Sequence, residues 1–189
     1  MKSRIIFACA ICLCLSMLHY GQAQNLVVPN ASFETGANNL PQSWTPGGKG
    51  LTAWENTGHS GNHSISVSAT AAGESLYWSC NTLTLKPLTL YQFSFWSKHE
   101  GDSDGSIVSG LSGVNHDFPV GNSTWTQHSF VFLTPDKTDG LYLRLGQWNG
   151  QGKVLFDDVA LHEIQPLPND VDGLKLGAGE RISGDTYSY

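Results

Sequence analysis

The chain has 189 residues, and its 10 lysines and arginines against 16 aspartates and glutamates give a formal net charge of −6 at pH 7. So acidic a composition argues against nucleic acid and anionic membranes as partners, because both bind through clustered cations. A strongly anionic ligand is disfavoured for the same reason, although one local cation could still bind one carboxylate.

The first 23 residues have the three parts of a secretory signal peptide. Lys2 and Arg4 precede the apolar run 5–18, and small residues at 21–23 offer a cleavage site. The run is shorter than the roughly 20 residues of a membrane span, which favours removal over a retained anchor. We therefore expect a secreted protein, extracellular or periplasmic. Cleavage removes two cations and no acid, so the charge becomes 8 − 16 = −8.

Cysteine usage agrees with export. Three of the four cysteines lie in the signal region, so Cys80 stands alone and cannot form an internal disulfide. The remaining chain is long enough for one domain with a sizeable core. That domain must be stabilised by its core or by a metal.

After the signal, the chain reads as short strands separated by turns, with no sustained 3.6-residue apolar period. Glycine-rich and Asp/Asn-rich turns separate the strands. Spacings of this kind predict an all-β protein, an antiparallel β-sandwich of the jelly-roll type. The predicted strands are 63–69, 75–80, 90–98, 126–133, 140–146 and 153–164.

Alternation along these strands predicts which side chains face outward. In strand 90–98, Tyr91, Phe93 and Phe95 share one face, opposite Gln92 and Trp96. The strand 140–146 turns its leucines inward and Tyr142 and Arg144 outward.

The strand 153–164 places an acid among apolar neighbours. Leu155, Asp157, Val159 and Leu161 alternate on one face. A buried, unpaired carboxylate is costly or loses its charge. Asp157 therefore needs a partner, which could be a metal ion, backbone amides or Lys153.

The composition of the sequence changes after residue 164. Two prolines and two acids in 165–173 indicate a linker, and 174–189 is too short for an independent sheet. We expect one domain over 24–164, followed by the linker and by the truncated start of a further region; a tail that returns to the first domain is the alternative.

Six segments in order resemble the carbohydrate-binding modules of families 4 and 9, which are galactose-binding-like jelly rolls. The segments are NLVVPNASFETG (25–36), SWTP (43–46), GHSGNHSISV (58–67), LYQFSFWSK (90–98), STWTQHSFVFLTP (123–135) and VLFDDVAL (154–161). The resemblance covers about residues 25–163. It implies a domain that binds polysaccharide or oligosaccharide and is itself non-catalytic.

The resemblance also implies a structural Ca²⁺ that ties the first strand to the last. By position, Glu34 and Asp157 supply carboxylates, and oxygens around Ser60 and His63 complete the ligand set. Calcium prefers six to eight such oxygens. Ser60 stands where the family often has an acid, which predicts a weaker affinity.

Sugar rings stack on aromatic side chains, and this chain has six tryptophans. From the resemblance and the predicted faces, we expect a ligand site composed of Trp78, Trp96, Gln92, Phe118, Tyr142 and Arg144. Phe118 is in phase with Val114 and Val120, so core packing is its alternative. Trp44 and Trp125 are expected to pack under loops, and Trp54 and Trp148 stay undecided.

Catalytic patterns are weak. His59 and His63 have the spacing of zinc ligands on a helix but lie in turn sequence, and Glu55, Glu74 and Glu100 have no evident partner carboxylate. The leading hypothesis is a secreted, monomeric carbohydrate-binding module within a longer multidomain chain, tethering a glycoside hydrolase or polysaccharide lyase to its substrate. The alternative is an extracellular structural or adhesion sandwich without a glycan ligand.

Overall fold

The computed structural model describes residues 25–26, 28–71 and 73–164, and the backbone of four short strands nearer the C-terminus. The predicted signal peptide lies outside the described residues. So does most of the predicted linker and tail, of which the structure gives two short antiparallel strand pairs.

The described residues form strands and no helix, so none of them belongs to a helix long and apolar enough to span a membrane. The strands are β1 Asn25–Leu26, β2 Gly36–Ala37, β3 Leu40–Pro41, β4 Thr45–Gly48, β5 Leu51–Glu55, β6 Ser64–Ala69, β7 Ser75–Cys80, β8 Leu90–Glu100, β9 Ser106–Leu111, β10 Val114–Pro119, β11 Thr126–Leu133, β12 Leu143–Trp148, β13 Gly152–Glu163, β14 Asp170–Val171, β15 Leu174–Lys175, β16 Glu180–Ser183 and β17 Thr186–Ser188.

Two antiparallel sheets face each other. The six-stranded sheet has the order β11-β8-β13-β6-β5, with β1 paired to β13, and the five-stranded sheet has the order β10-β9-β12-β7-β4. Apart from the consecutive pairs β5–β6 and β9–β10, neighbours in each sheet are not consecutive in sequence, as in Greek-key sandwiches. The predicted antiparallel β-sandwich is confirmed.

The core lies between the sheets and is built from the inward residues of alternating strands. Trp78, Phe93, Phe95 and Phe156 are fully buried there. Burying large aromatic and aliphatic side chains is the main driving force for such a disulfide-free domain. Cys80 is a buried free thiol within the same core, where it packs as a small apolar side chain.

A β-bulge interrupts β13 between Asp157 and Ala160, where Asp158 has a φ of 47°. The bulge reverses the alternation: Phe156 and Val159 both belong to the core cluster, so Asp157 lies on the opposite side. The expected single face of Leu155, Asp157, Val159 and Leu161 is therefore wrong, because a bulge adds one residue and shifts the phase.

Candidate functional site

The outer face of the five-stranded sheet, on the side away from the core, carries large side chains between small ones. Tyr77 pairs with Gly47 on β4 and Gly146 on β12. Arg144 pairs with Ser79 and Gly110. The same alternation continues at Trp148, which pairs with Ser75 and Ser106. Small partners on both sides leave each large side chain open to a ligand.

Tyr77 and Tyr142 form an aromatic pair on this outer face. Their ring centroids are 6.3 Å apart and their planes are inclined by 15°. The Tyr77 ring lies over Gly47, where a Cβ would be 2.7 Å from Cε2, so a larger residue at position 47 would displace the ring. A hydrogen bond with Tyr142 raises the pKa of Tyr77, so the Tyr77 phenol is neutral near pH 7. Two near-parallel rings suit the apolar face of a sugar.

Arg144 adds a charge beside the tyrosines. Its Nε is buried and has no hydrogen-bond partner. On the neighbouring strand pair, Asn115 donates from Nδ2 to Asp117 Oδ1 at 2.8 Å, and both side chains are exposed. The outer face therefore offers a cation, an amide and a carboxylate. Together these groups provide both donors and acceptors for hydrogen bonds to sugar hydroxyls.

Trp148 extends the outer face at the far end of β12. It is 49% exposed and is the only one of the six tryptophans with a large exposed surface. Trp148 lies four positions after Arg144, and four positions span about 13 Å along a strand. At the opposite end, Tyr142 also lines a shallow cavity of about 350 Å³ with Asn81, Thr84 and Asp139 among its polar walls. The face is long enough for several sugar rings.

Two predicted ligand residues lie inside the sandwich instead. Trp78 has 0% exposure, and its indole N–H donates to the Ser66 carbonyl at 2.9 Å. It is in phase with the buried Leu76 and Cys80, so the predicted sugar contact is wrong for this side chain. Phe118 packs against His128 and Phe95, which is the core packing given above as its alternative.

Two others lie on the opposite sheet. Trp96 stacks on His59, with centroids 3.9 Å apart, and Gln92 donates to Ser129 Oγ at 3.0 Å. Both point away from the core on the six-stranded sheet. Of the six predicted residues, the structure therefore places Tyr142 and Arg144 on the outer face of one sheet, and Gln92 and Trp96 on the outer face of the other. The expectation of a single face for all of them is wrong.

The predicted metal residues converge on the loop between β5 and β6. Asp157 Oδ2 accepts from the amides of His59 and Ser60 at 2.6 and 3.2 Å. Glu34 accepts from the amides of Asn62 and His63 at 2.9 to 3.0 Å. The two carboxylates therefore bind the 59–63 segment from β13 and from the chain before β2. Backbone capping, one of the partners considered for Asp157, is present; Lys153 instead pairs with Glu55 and Glu100.

Several oxygens also meet beside Gly58. A Cβ at this glycine would touch the carbonyl oxygens of Ser60 and His63 and would lie 2.9 Å from Asp157 Oδ2. Asp157 is fully buried, and burial raises its pKa to about 6. Among the described residues no three His, Cys, Asp or Glu side chains cluster as a metal site. The oxygens beside Gly58 are two backbone carbonyls and the Asp157 carboxylate, which suit calcium better than zinc.

A family model for a carbohydrate-binding domain, that of families 4 and 9, matches residues 25–151. This match spans most of the chain. The chain belongs to this family of carbohydrate-binding domains. No curated protein matches it.

Solved structures similar to this carbohydrate-binding domain show its jelly-roll fold. The CBM22-1 xylan-binding domain of Paenibacillus barcinonensis Xyn10C is 15% identical, with 71% of this chain and 92% of that chain covered and a TM-score of 0.55. A cyclase from Fischerella sp. TAU is 16% identical, with 75% and 98% covered and a TM-score of 0.57. The enzymatically active domain of bacteriophage CBA120 tailspike protein 4 is 18% identical, with a TM-score of 0.52; 74% of this chain aligns, but it spans only 21% of that protein.

Sequence reasoning missed Tyr77 and Trp148 in the carbohydrate-binding domain. The alternation along β7 could have identified Tyr77. Leu76, Trp78 and Cys80 are apolar at alternate positions, which leaves Tyr77 on the other side of the strand. Trp148 is in phase with Tyr142 and Arg144. Extending the predicted strand 140–146 by two residues would have placed it on their face.

Proposed function

We propose that this domain binds a polysaccharide along the outer face of the five-stranded sheet. The observation that carries the proposal is the alignment of Tyr77, Tyr142, Arg144 and Trp148 on one open face. Stacked aromatic rings supply much of the binding free energy in small sites. Membership of the carbohydrate-binding family supports the same ligand class.

The test is isothermal titration with soluble xylan, glucan, mannan and uronan oligosaccharides. Tyr77→Ala removes a ring from the proposed face, and Trp96→Ala is the matched control on the opposite sheet. By analogy with aromatic anchors, Tyr77→Ala should lose about 1 to 3 kcal/mol, a factor of roughly 5 to 150 in affinity. Trp96→Ala should bind like the unchanged protein.

Either of two results would refute the proposal. A folded Tyr77→Ala variant with unchanged affinity would remove this face from the site. Failure of the unchanged protein to bind any member of a broad panel would favour a structural or adhesion role.

We further infer that the domain is exported and serves a larger enzyme. The signal-like segment 1–23 supports export. The much greater length of the tailspike domain that it resembles supports a multidomain setting. Attachment to a glycoside hydrolase or lyase would raise the local concentration of polysaccharide near the catalytic site.

A structural calcium is the second part of the proposal. Glu34 and Asp157 would supply carboxylates, and the carbonyls of Ser60 and His63 would supply further oxygens. The meeting of the two carbonyls with the Asp157 carboxylate beside Gly58 and the full burial of Asp157 support it. A divalent cation there would offset the cost of a buried negative charge.

A further inference from the structure

Arg144 is exceptional among the cations of this domain. In the five strands of its sheet it is the only lysine or arginine. No carboxylate of the described residues forms an ion pair with it, and its buried Nε lacks an acceptor. A buried polar group without a partner is destabilising, and more so when it is charged.

The other partly buried cations of the described residues, Lys98 and Lys153, have partners, and so does the exposed Lys86. Lys86 binds Glu163 at 2.7 Å and Lys98 binds Glu100 at 3.4 Å. Lys153 binds Glu55 at 3.0 Å and Glu100 at 3.1 Å. The missing partner at Arg144 is therefore a property of the outer face, where a ligand would supply it.

The chemistry of the guanidinium favours a carboxylate as that partner. Arginine presents five donors in a planar fork and no acceptor, and a carboxylate matches two of them at once. A sugar hydroxyl accepts singly and carries no charge. The small partners Ser79 and Gly110 on either side of Arg144 leave room for a planar acid group.

We propose that the outer face prefers glycans bearing uronic acid, with Arg144 binding the carboxylate while Tyr77 stacks on a ring. This inference rests on the proposed function of the face. Asp117 lies on the same face two strands away, on β10, and the domain is acidic overall. The ligand is therefore a chain in which one carboxylate meets Arg144 and the neighbouring positions present mainly hydroxyls.

The experiment compares matched oligosaccharides by titration calorimetry. The pairs are xylotetraose with and without one glucuronic acid substituent, tetragalacturonate and its methyl ester, and tetramannuronate and mannotetraose. Arg144→Gln removes the cation from the outer face. Lys98→Gln, on the opposite sheet, is the control with the same change in net charge. Circular dichroism and the melting temperature establish that each variant is folded.

We expect at least one acidic member to bind tenfold or more tightly than its neutral partner, in line with a charge-assisted hydrogen-bond pair. Arg144→Gln should abolish that preference, and Lys98→Gln should keep it. Raising the salt from 20 to 200 mM should weaken the acidic ligand selectively.

Three results would overturn the inference. The first is that no pair shows a preference for the acid. The second is a preference that survives in Arg144→Gln, and the third is an equal loss of both members in that variant. In each of these cases neutral or acidic glycan still binds, so the proposed function stands. If no glycan of the panel binds, both the inference and the proposed function fail.

Discussion

Two adjacent aromatic residues of β7 have different roles because they lie on different faces. Trp78 fills the core and Tyr77 lies on the outer face, half-buried. Truncating a buried tryptophan to alanine removes its transfer free energy and leaves a cavity. Trp78→Ala should therefore lower the free energy of unfolding by about 3 to 5 kcal/mol, whereas Tyr77→Ala should lower it much less.

Urea denaturation measures this difference: the midpoint urea concentration should fall more in Trp78→Ala than in Tyr77→Ala, while the slope of the free energy against urea stays the same. Glycan affinity, measured on folded protein, should fall more in Tyr77→Ala than in Trp78→Ala. A Trp78→Ala variant as stable as the unchanged protein, with reduced affinity, would place Trp78 in the ligand site instead.

A single buried residue, His128, makes the stability of the domain depend on pH. Burial lowers the pKa of this histidine; its Nε2 lies 2.8 Å from Ser97 Oγ, and its ring stacks on Phe95. A depressed pKa means that the unfolded chain binds the proton more readily than the folded chain. Stability is then fully present above the unfolded pKa of about 6.5 and is lost as pH falls towards the folded value.

The measurement is the free energy of unfolding of the unchanged protein and of His128→Gln between pH 7.5 and 5. Glutamine keeps a polar side chain and cannot titrate. The difference between the two proteins isolates the imidazole from other titrating groups. We expect the unchanged protein to lose more stability on acidification than the variant. Parallel curves would show that the histidine contributes nothing.

At the scale of elements, strand alternation could be predicted wherever apolar and polar residues alternate cleanly. In β8 and β12 the inward and outward sides were correct. The strands β4, β9 and β10 were not predicted, because TPGG lacks alternation and the β9–β10 segment carries glycines at 110 and 113. Pattern alone could not locate the bulge at Asp158 either, since it depends on the contacts that Asp157 makes with a distant loop.

That contact predicts how the elements respond to calcium. Glu34, the 58–63 loop and β13 are joined through Asp157 and the backbone amides around it. If calcium binds there, saturation at a hundred times the dissociation constant would add about 2.7 kcal/mol of stability. Excess EDTA should lower the melting temperature, and restored Ca²⁺ should raise it again.

Asp157→Asn removes the charge with almost no change of volume and should abolish this response. Glu100→Gln, an exposed acid on the same sheet, should keep it. A melting temperature that does not change in excess chelator would refute the calcium proposal and leave backbone capping as the role of both carboxylates.

At the scale of the whole molecule, the proposed glycan face and the proposed calcium site belong to different sheets, on opposite sides of one core. The 58–63 loop, where we propose the calcium site, connects β5 and β6 of the six-stranded sheet, and the proposed glycan face belongs to the five-stranded sheet. The sequence indicated candidate residue types for both proposed sites, but not which residues share a side, because that depends on pairing between strands far apart in the chain. Loss of calcium should therefore reduce glycan binding only in so far as it unfolds the domain.

The separation of the surfaces also predicts how tryptophan fluorescence reports binding. Trp148 is the exposed tryptophan on the proposed face, so a bound glycan should shift its emission to shorter wavelength by excluding water. Trp148→Phe should lose the shift but keep most of the calorimetric affinity, because phenylalanine still stacks. Trp148→Ala should lose about 1 to 3 kcal/mol of binding. Trp96→Phe, on the opposite sheet, should keep the shift; a shift lost in Trp96→Phe and kept in Trp148→Phe would place the ligand on the six-stranded sheet.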